Sequence, residues 1–293
     1  MAALVKSLVL TGHGINCEAE MAAAYRRQGA TADIKHLSEV IAGKVDIRDY
    51  QVLNFPGGFS FGDDLGSALA LANLIRHAII QGSEKLTFLE VIQKFISQNG
   101  IVFGVCNGFQ VMVKLGILPG WDNNYHRQEA SLAENLSGKY ENRWVWHTVN
   151  RESPCVATKG IERIFLPVRH GEGRFVLETE HGCHNPEEAS RILDRLKKEG
   201  NITLWYADPE TGNPTMEYPA NPNGSLESIA GLCDPTGRVF GQMAHPEAFL
   251  LFENHPHWTK IKDNLRRQGK PAPAKGDGQT FFRNIVEYAS KNR

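Results

Sequence analysis

The sequence predicts an α/β fold: a doubly wound sheet with β-hairpin elaboration at one edge. Three observations carry that reading. Short β-branched and aromatic runs alternate with stretches of helical apolar spacing through the first part of the chain. Glycine-rich turns stand where those runs end, and open α/β sheets bind their ligands at such strand ends. From Arg143 to Met243 the pattern changes to β-rich segments, which supply the hairpins.

Leu4 to Thr11 reads as the first buried strand, with Lys6 interrupting an apolar run and Thr11-Gly-His-Gly closing it. Glu18 to Gln28 has helical spacing, Thr31 to His36 and Val52 to Phe55 read as strands, and Leu65 to Gln81 and Leu86 to Gln98 as helices. Ile101 to Val105 is a strand, followed by a helix from Phe109 to Leu118 that Pro119 and Gly120 stop. In the β-rich part, Arg143 to Val149, Ile164 to Val168 and Ile202 to Ala207 are the strand candidates, and Asn185 caps a surface helix running to Leu196. Gly269 to Gly278 is linker-like, whereas Phe281 to Ala289 shows one apolar face at helical spacing.

Composition excludes more than it selects. The 293 residues suffice for a full core, and a net charge of −1 leaves no basic surface for nucleic acid. No apolar run reaches the roughly 18 residues of a membrane span, and no secretory cleavage pattern follows the start, so a cytoplasmic location is expected. Five cysteines, an odd and scattered set, argue for a reducing compartment. Cys17, Cys155 and Cys233 read as inert packing or loop residues. His181-Gly-Cys-His184 gathers potential metal ligands, but the spacing is too tight for a zinc site, and no metal is expected. Beyond His255, nine Lys and Arg face three Asp and Glu. That basic stretch reads first as a solvated surface and second as a contact for an acidic partner.

The chemistry concentrates at Gly104-Val-Cys-Asn-Gly-Phe-Gln110, where one cysteine stands between two glycines at a strand-to-helix turn. This is the logic of the G-x-S-x-G elbow with sulfur as nucleophile. Cys106 projects at the carboxyl end of the strand, where the helix dipole favours thiolate. The Asn107 N–H is a candidate oxyanion donor. A base is needed, and Gly241-Gln-Met-Ala-His-Pro-Glu247 offers His245 with Glu247 two residues on, the same face of an extended segment. Tyr50 to Asp63 is a strand entering a glycine-rich loop, in which Gly57 and Gly58 leave room for a ligand and the Gly58 N–H is the second candidate oxyanion donor. A phosphate loop is the rival, disfavoured because the segment lacks a lysine.

The cysteine elbow, the PGGFSFGD loop, His170-Gly-Glu-Gly-Arg174, Asn221-Pro-Asn-Gly-Ser-Leu226 and the AHPE segment resemble class I glutamine amidotransferases. More narrowly, they resemble the glutaminase subunits of phosphoribosylformylglycinamidine (FGAM) synthases of purine biosynthesis. The resemblance implies a flavodoxin-like sheet, a Cys106/His245/Glu247 triad, an oxyanion hole at Gly58 and Asn107, and glutamine contacts at Gly57, Phe59 and Gln110. For His170 and Glu172 two readings stand side by side. In one, Glu172 holds the ammonium group of glutamine from an exposed loop; in the other, the loop docks a synthetase subunit. The resemblance further implies L-glutamine as substrate, a large synthetase subunit and a small accessory subunit as partners, and ATP and magnesium in the synthetase rather than in this chain. It divides the chain into an amidotransferase domain at 1–254, an insertion or linker at 255–277, and a helix at 278–293 returning to that domain. Where the family has proline before the histidine and arginine after the glutamate, this chain has Ala244 and Ala248. A stand-alone cysteine hydrolase and a non-catalytic regulatory subunit are the alternatives.

Overall fold

The computed structural model describes residues 4–82, 84–177 and 184–292. The chain opens with β1 (Lys6–Thr11), α1 (Glu18–Arg27), β2 (Thr31–His36), α2 (Leu37–Ile41), β3 (Val52–Phe55), α3 (Leu69–His77), α4 (Phe88–Ser97), β4 (Ile101–Val105) and α5 (Asn107–Leu115). It continues with β5 (Ser131–Glu134), β6 (Glu141–Val149), β7 (Arg163–His170), β8 (Glu172–Val176), α6 (Pro186–Lys198), β9 (Ile202–Ala207), β10 (Ile229–Cys233), β11 (Val239–Gln242), α7 (Trp258–Arg267) and α8 (Gln279–Lys291).

Nine strands form one sheet in the order β2-β1-β3-β4-β11-β10-β9-β6-β7, and β5 pairs with β8 apart from it. The first five in that order are mutually parallel. Their order is the 2-1-3-4-5 arrangement of doubly wound flavodoxin-like sheets. β3 and β4 are buried at every position, as strands covered on both faces must be. The remaining four strands join antiparallel. The expected edge elaboration is therefore present, with β6 and β7 forming an antiparallel hairpin at the edge of the same continuous sheet.

Local chemistry explains the helix ends. Thr87 and Glu90 form a capping box at α4, and Asn185 Oδ1 accepts from Glu188 N at 3.0 Å to start α6. The expected helix from Leu65 to Gln81 is shorter, spanning Leu69–His77. Its front is taken by a loop with Gly62, Gly66 and Ala68 at positive φ, and its tail by the Ile79–Thr87 bridge.

The core lies between the parallel strands and their helices. Phe103 of β4 stacks on Phe240 of β11 with centroids 4.6 Å apart, and Phe282 of α8 reaches both Phe103 at 6.0 Å and Tyr25 of α1 at 5.1 Å. The final helix thus packs on the main domain. Ahead of it, the segment expected as an insertion or linker contains α7, none of whose residues is buried. Its Ile and Leu are spaced for a helix but meet no opposing core surface. Asp263 accepts from Arg266 and Arg267 one turn on, a pairing that supports the helix locally.

Although β4 and β7 are separated by four strands in the sheet order, the sheet curls enough for the end of β7 to meet the segment after β11. His245 N donates to Pro167 O at 2.9 Å across that closure. The carboxyl ends of β3, β4 and β11 and the end of β7 consequently face one small volume.

Candidate active site

Cys106 follows β4 directly and stands as N-cap of α5 with φ 52° and ψ −109°. A non-glycine residue there stores about 1–3 kcal/mol of strain, which the surrounding packing must hold. The flanking glycines are needed for space. A Cβ on Gly108 would lie 1.8 Å from Phe55 O, and one on Gly104 would lie 2.5 Å from Met112 Sδ. The thiol is 5% exposed and donates to Arg169 O at 3.5 Å, so the end of β7 forms one wall around it.

The candidate base, His245, lies in the turn after β11. His245 Nδ1 lies 2.6 Å from Glu247 Oε1, and both residues are 2% exposed. The sequence argument for this pair was the alternation of an extended strand, and here the structure corrects it. Pro246–Ala248 is a 3₁₀ turn, whose tight winding brings the carboxylate back under the ring. Burial by itself disfavours imidazolium. The Glu247 carboxylate and the Cys106 and Cys17 thiols more than reverse that, and hold the His245 pKa well above the ordinary imidazole value. With Nδ1 engaged by Glu247, Nε2 is buried without a hydrogen-bond partner, the one ring atom left to take a proton.

Two backbone N–H groups, the candidate oxyanion donors, are left without a described hydrogen bond. Asn107 is the first residue of α5, and the first helical bond is Gln110 N to Cys106 O, which leaves the Asn107 N–H unspent. Gly58, with φ 149°, pairs with Ile15 in an isolated bridge whose bonds are Phe59 N to Gly14 O and Asn16 N to Gly57 O. The Gly58 N–H enters no described hydrogen bond. Asn107 also ties the two donor segments together, its Oδ1 accepting from Ser60 N at 3.3 Å.

The other sequence-predicted residues divide between wall and frame. A Cβ on Gly57 would lie 2.7 Å from His245 Cε1, so only glycine lets the imidazole sit where it does. Phe59 is half-exposed beside Tyr140, with ring centroids 6.1 Å apart. Gln110 is buried, donating to Glu172 O at 2.8 Å and accepting from Asn107 Nδ2 at 3.2 Å. The HGEG segment is not the exposed, adaptable loop expected from its glycines, because it joins the end of β7 to the start of β8. His170 is buried against Asn135 at 3.1 Å, and burial, reinforced by His245, pushes its pKa down to about 3. Glu172 Oε1 accepts from Ser67 N at 2.9 Å and Oε2 lies 4.0 Å from Lys114 Nζ, clasping the glycine-rich loop to α5.

Asn221 to Leu226 braces that segment from behind. Asn223 Nδ2 donates to Gly173 O at 2.8 Å and to the Tyr206 hydroxyl at 3.1 Å, while Ser225 Oγ accepts from Phe175 N at 3.0 Å. The two loops singled out by resemblance therefore hold each other.

Cys17 is a correction. Read as inert, it lies with its Sγ 4.0 Å from His245 Nδ1. Cys17 N donates to Gly57 O, a long-range tie with no sequence-local signal. Tyr140 was also missed; its hydroxyl pKa is raised by burial and by Cys106. Cys155 and Cys233 are fully buried, as expected of packing residues. Of His181 to His184 only His184 lies within the described residues, and its Nε2 lies 3.1 Å from Glu129 O.

An elbow cysteine, a buried imidazole-carboxylate pair and two unspent backbone donors at one end of a doubly wound sheet define a cysteine-dependent acyl-transfer enzyme. Comparison with known proteins then fixes which kind. The chain belongs to the CobB/CobQ-like glutamine amidotransferase family, which matches residues 4–289. It is 40% identical over 288 residues to the phosphoribosylformylglycinamidine synthase subunit PurQ of Methanococcus maripaludis, covering 98% of each chain. The PurQ subunit of Dehalococcoides mccartyi is 38% identical over 285 residues, covering 97% of this chain and 98% of its own. Among solved structures, a chain of PurLQS from Thermotoga maritima superposes with a TM-score of 0.64 at 24% identity, covering 98% of this chain and 99% of that one. That likeness supports the fold.

Proposed function

We propose that this chain is the glutaminase subunit of an FGAM synthase and delivers ammonia from L-glutamine to an ATP-dependent synthetase subunit. The observation that carries the reading is the His245–Glu247 pair, 2.6 Å apart and closed over the Cys106 elbow. The relatives' shared name supports the pathway.

In the mechanism that follows from this geometry, His245 Nε2 takes the thiol proton and the Cys106 thiolate attacks the side-chain carboxamide of glutamine. The developing oxyanion is held by the Gly58 and Asn107 N–H groups, preorganised and shielded from water. Glu247 stabilises the imidazolium, which then protonates the departing nitrogen, and ammonia leaves. Water, deprotonated by the same imidazole, releases glutamate from the thioester. Gly57, Phe59 and Gln110 shape the pocket, while His170 and Glu172 stand as glutamine contacts or as the frame of the partner's docking face. ATP and magnesium act in the synthetase subunit, a small accessory subunit completes the complex, and the location is cytoplasmic. Among the described residues no helix is long and apolar enough to cross a membrane.

The test is mass spectrometry after treatment with the glutamine-analogue electrophile 6-diazo-5-oxo-norleucine, with and without glutamine. Labelling at Cys106 alone, suppressed by glutamine, is expected. If Cys106 remains unlabelled even when the synthetase is present, the chain is a regulatory subunit. If it is labelled without glutamine protection, the chain is a hydrolase for another acyl substrate.

A further inference from the structure

Cys17 has no part in the chemistry above, yet it lies inside the site. Its Sγ, a ring nitrogen of His245 and a carboxylate oxygen of Glu247 all fall within 4.8 Å of one another. Thiolate, imidazole and carboxylate are the donor types that zinc selects. A second observation points the same way. Glu247 commits Oε1 to the imidazole, while its Oε2 is buried with no hydrogen-bond partner, an oxygen lone-pair donor without employment. The cluster is also held in place: Cys17 N and Asn16 N both donate to Gly57 O, and Gly57 in turn packs against the imidazole.

We propose that Cys17, His245 and Glu247 form a binding site for a soft divalent cation of the zinc type, and that its occupancy switches the triad off. In a tetrahedral zinc site with Zn–S of about 2.3 Å and Zn–N of about 2.0 Å, sulfur and nitrogen stand about 3.5 Å apart. The 4.0 Å between Cys17 Sγ and His245 Nδ1 is close to that spacing. The 2.6 Å bond between His245 and Glu247 has to open for the ion to enter. Ligation replaces the Cys17 thiol proton, which goes to solvent. With the cation on Nδ1, the ring proton resides on Nε2, and the imidazole then presents a donor to Cys106 where catalysis needs an acceptor. The site therefore cannot hold the ion and activate the nucleophile together. That inhibitory consequence rests on the glutaminase reading; the binding itself does not.

The experiment uses cobalt(II) as probe on the full chain carrying Cys183→Ser, so that His181-Gly-Cys-His184 contributes no thiolate. Titration is followed through the near-ultraviolet thiolate-to-cobalt charge-transfer band, with zinc as displacing ion and thermal melts as fold control. A band saturating at one equivalent is expected. It should persist in Cys106→Ser, disappear in Cys17→Ser, and weaken at least tenfold in affinity in Glu247→Gln. A band that survives Cys17→Ser, that is lost in Cys106→Ser, or that never forms overturns the proposal. Should Cys17→Ser fail to fold, Glu247→Gln decides alone. Labelling with the diazo analogue, synthetase present, separates the two ideas: Cys106 should react in the metal-free protein and be protected by cobalt. Cobalt binding through Cys17 with no reaction at Cys106 even in the metal-free protein overturns the glutaminase reading and leaves the cation site standing, whereas undiminished reaction with cobalt bound overturns the switch.

Discussion

The parallel half of the sheet, β2-β1-β3-β4-β11, and the antiparallel half, β10-β9-β6-β7, are continuous in hydrogen bonding but unlike in what they contribute. The first presents the candidate nucleophile Cys106, both candidate oxyanion donors and the segment bearing His245, all from loops at the carboxyl ends of parallel strands. The second contributes a wall and a frame, through Arg169 O, His170 and the Asn223 brace. The difference teaches that parallel strands aim several strand ends in one direction, whereas antiparallel strands send alternate ends away and can only lean on a site from the side.

The sharpest way to break the comparison is Cys106→Ala. Glutamate release, assayed with the synthetase present, should fall by about a thousandfold or more, while the urea midpoint holds, because alanine keeps the Cβ and the strained backbone of the elbow and loses only the thiol. A large loss of stability would make Cys106 part of the frame instead. In the antiparallel half the expected effect is on stability. His147 is wholly buried, and burial, outweighing the backbone of Ile164 and Val145 nearby, pushes its pKa down to about 4. Because the unfolded state takes up the proton near pH 6.5, the stability tied to neutral His147 is intact above that pH. It is lost as pH falls from 6.5 toward 4, by about 3 kcal/mol in order of magnitude. Urea melts between pH 7 and pH 4 should show the loss, and His147→Leu should flatten this limb. An unchanged slope in the variant would remove His147 as its source.

Gly57→Ala sits between those extremes. A methyl group 2.7 Å from His245 Cε1 must displace the imidazole, and a shift near 1 Å costs about a hundredfold in kcat. Stopped assays on the purified complex would measure it, and an effect confined to KM would show that the ring stays in place. Smallest is Asn223→Ala, which removes the bonds to Gly173 O and to the Tyr206 hydroxyl at a cost of about 1–3 kcal/mol. KM for glutamine should rise more than kcat falls. Equal losses in both would move the Asn223 brace from frame to chemistry.

The two halves were also unequally legible. β1, β3 and β4 were readable because buried parallel strands appear as continuous apolar runs, whereas β2 at the edge is for the most part not buried and showed only a short run between helices. The β-rich part showed strands without partners: nothing in Arg143 to Val149 says that it pairs with both β7 and β9. Cys106 was legible because the elbow's constraints are local, two glycines within two residues. Cys17 was not, since its place beside His245 depends on the Ile15–Gly58 bridge, a contact between segments more than forty residues apart in sequence. Likewise the buried HGEG segment looked exposed, because glycine flanks do not reveal that Asn135 and Asn223 satisfy the backbone around it.

β11 lies between β4 and β10, so the strand that carries the elbow has an open flank until residues 239–242 have emerged, and His245 follows only after them. A ribosome adding roughly 5–20 residues per second leaves the cysteine translated several seconds ahead of its base. Throughout that interval the nascent chain holds the Cys106 elbow without the imidazole that closes over it, so the site is complete only once the last parallel strand is in place.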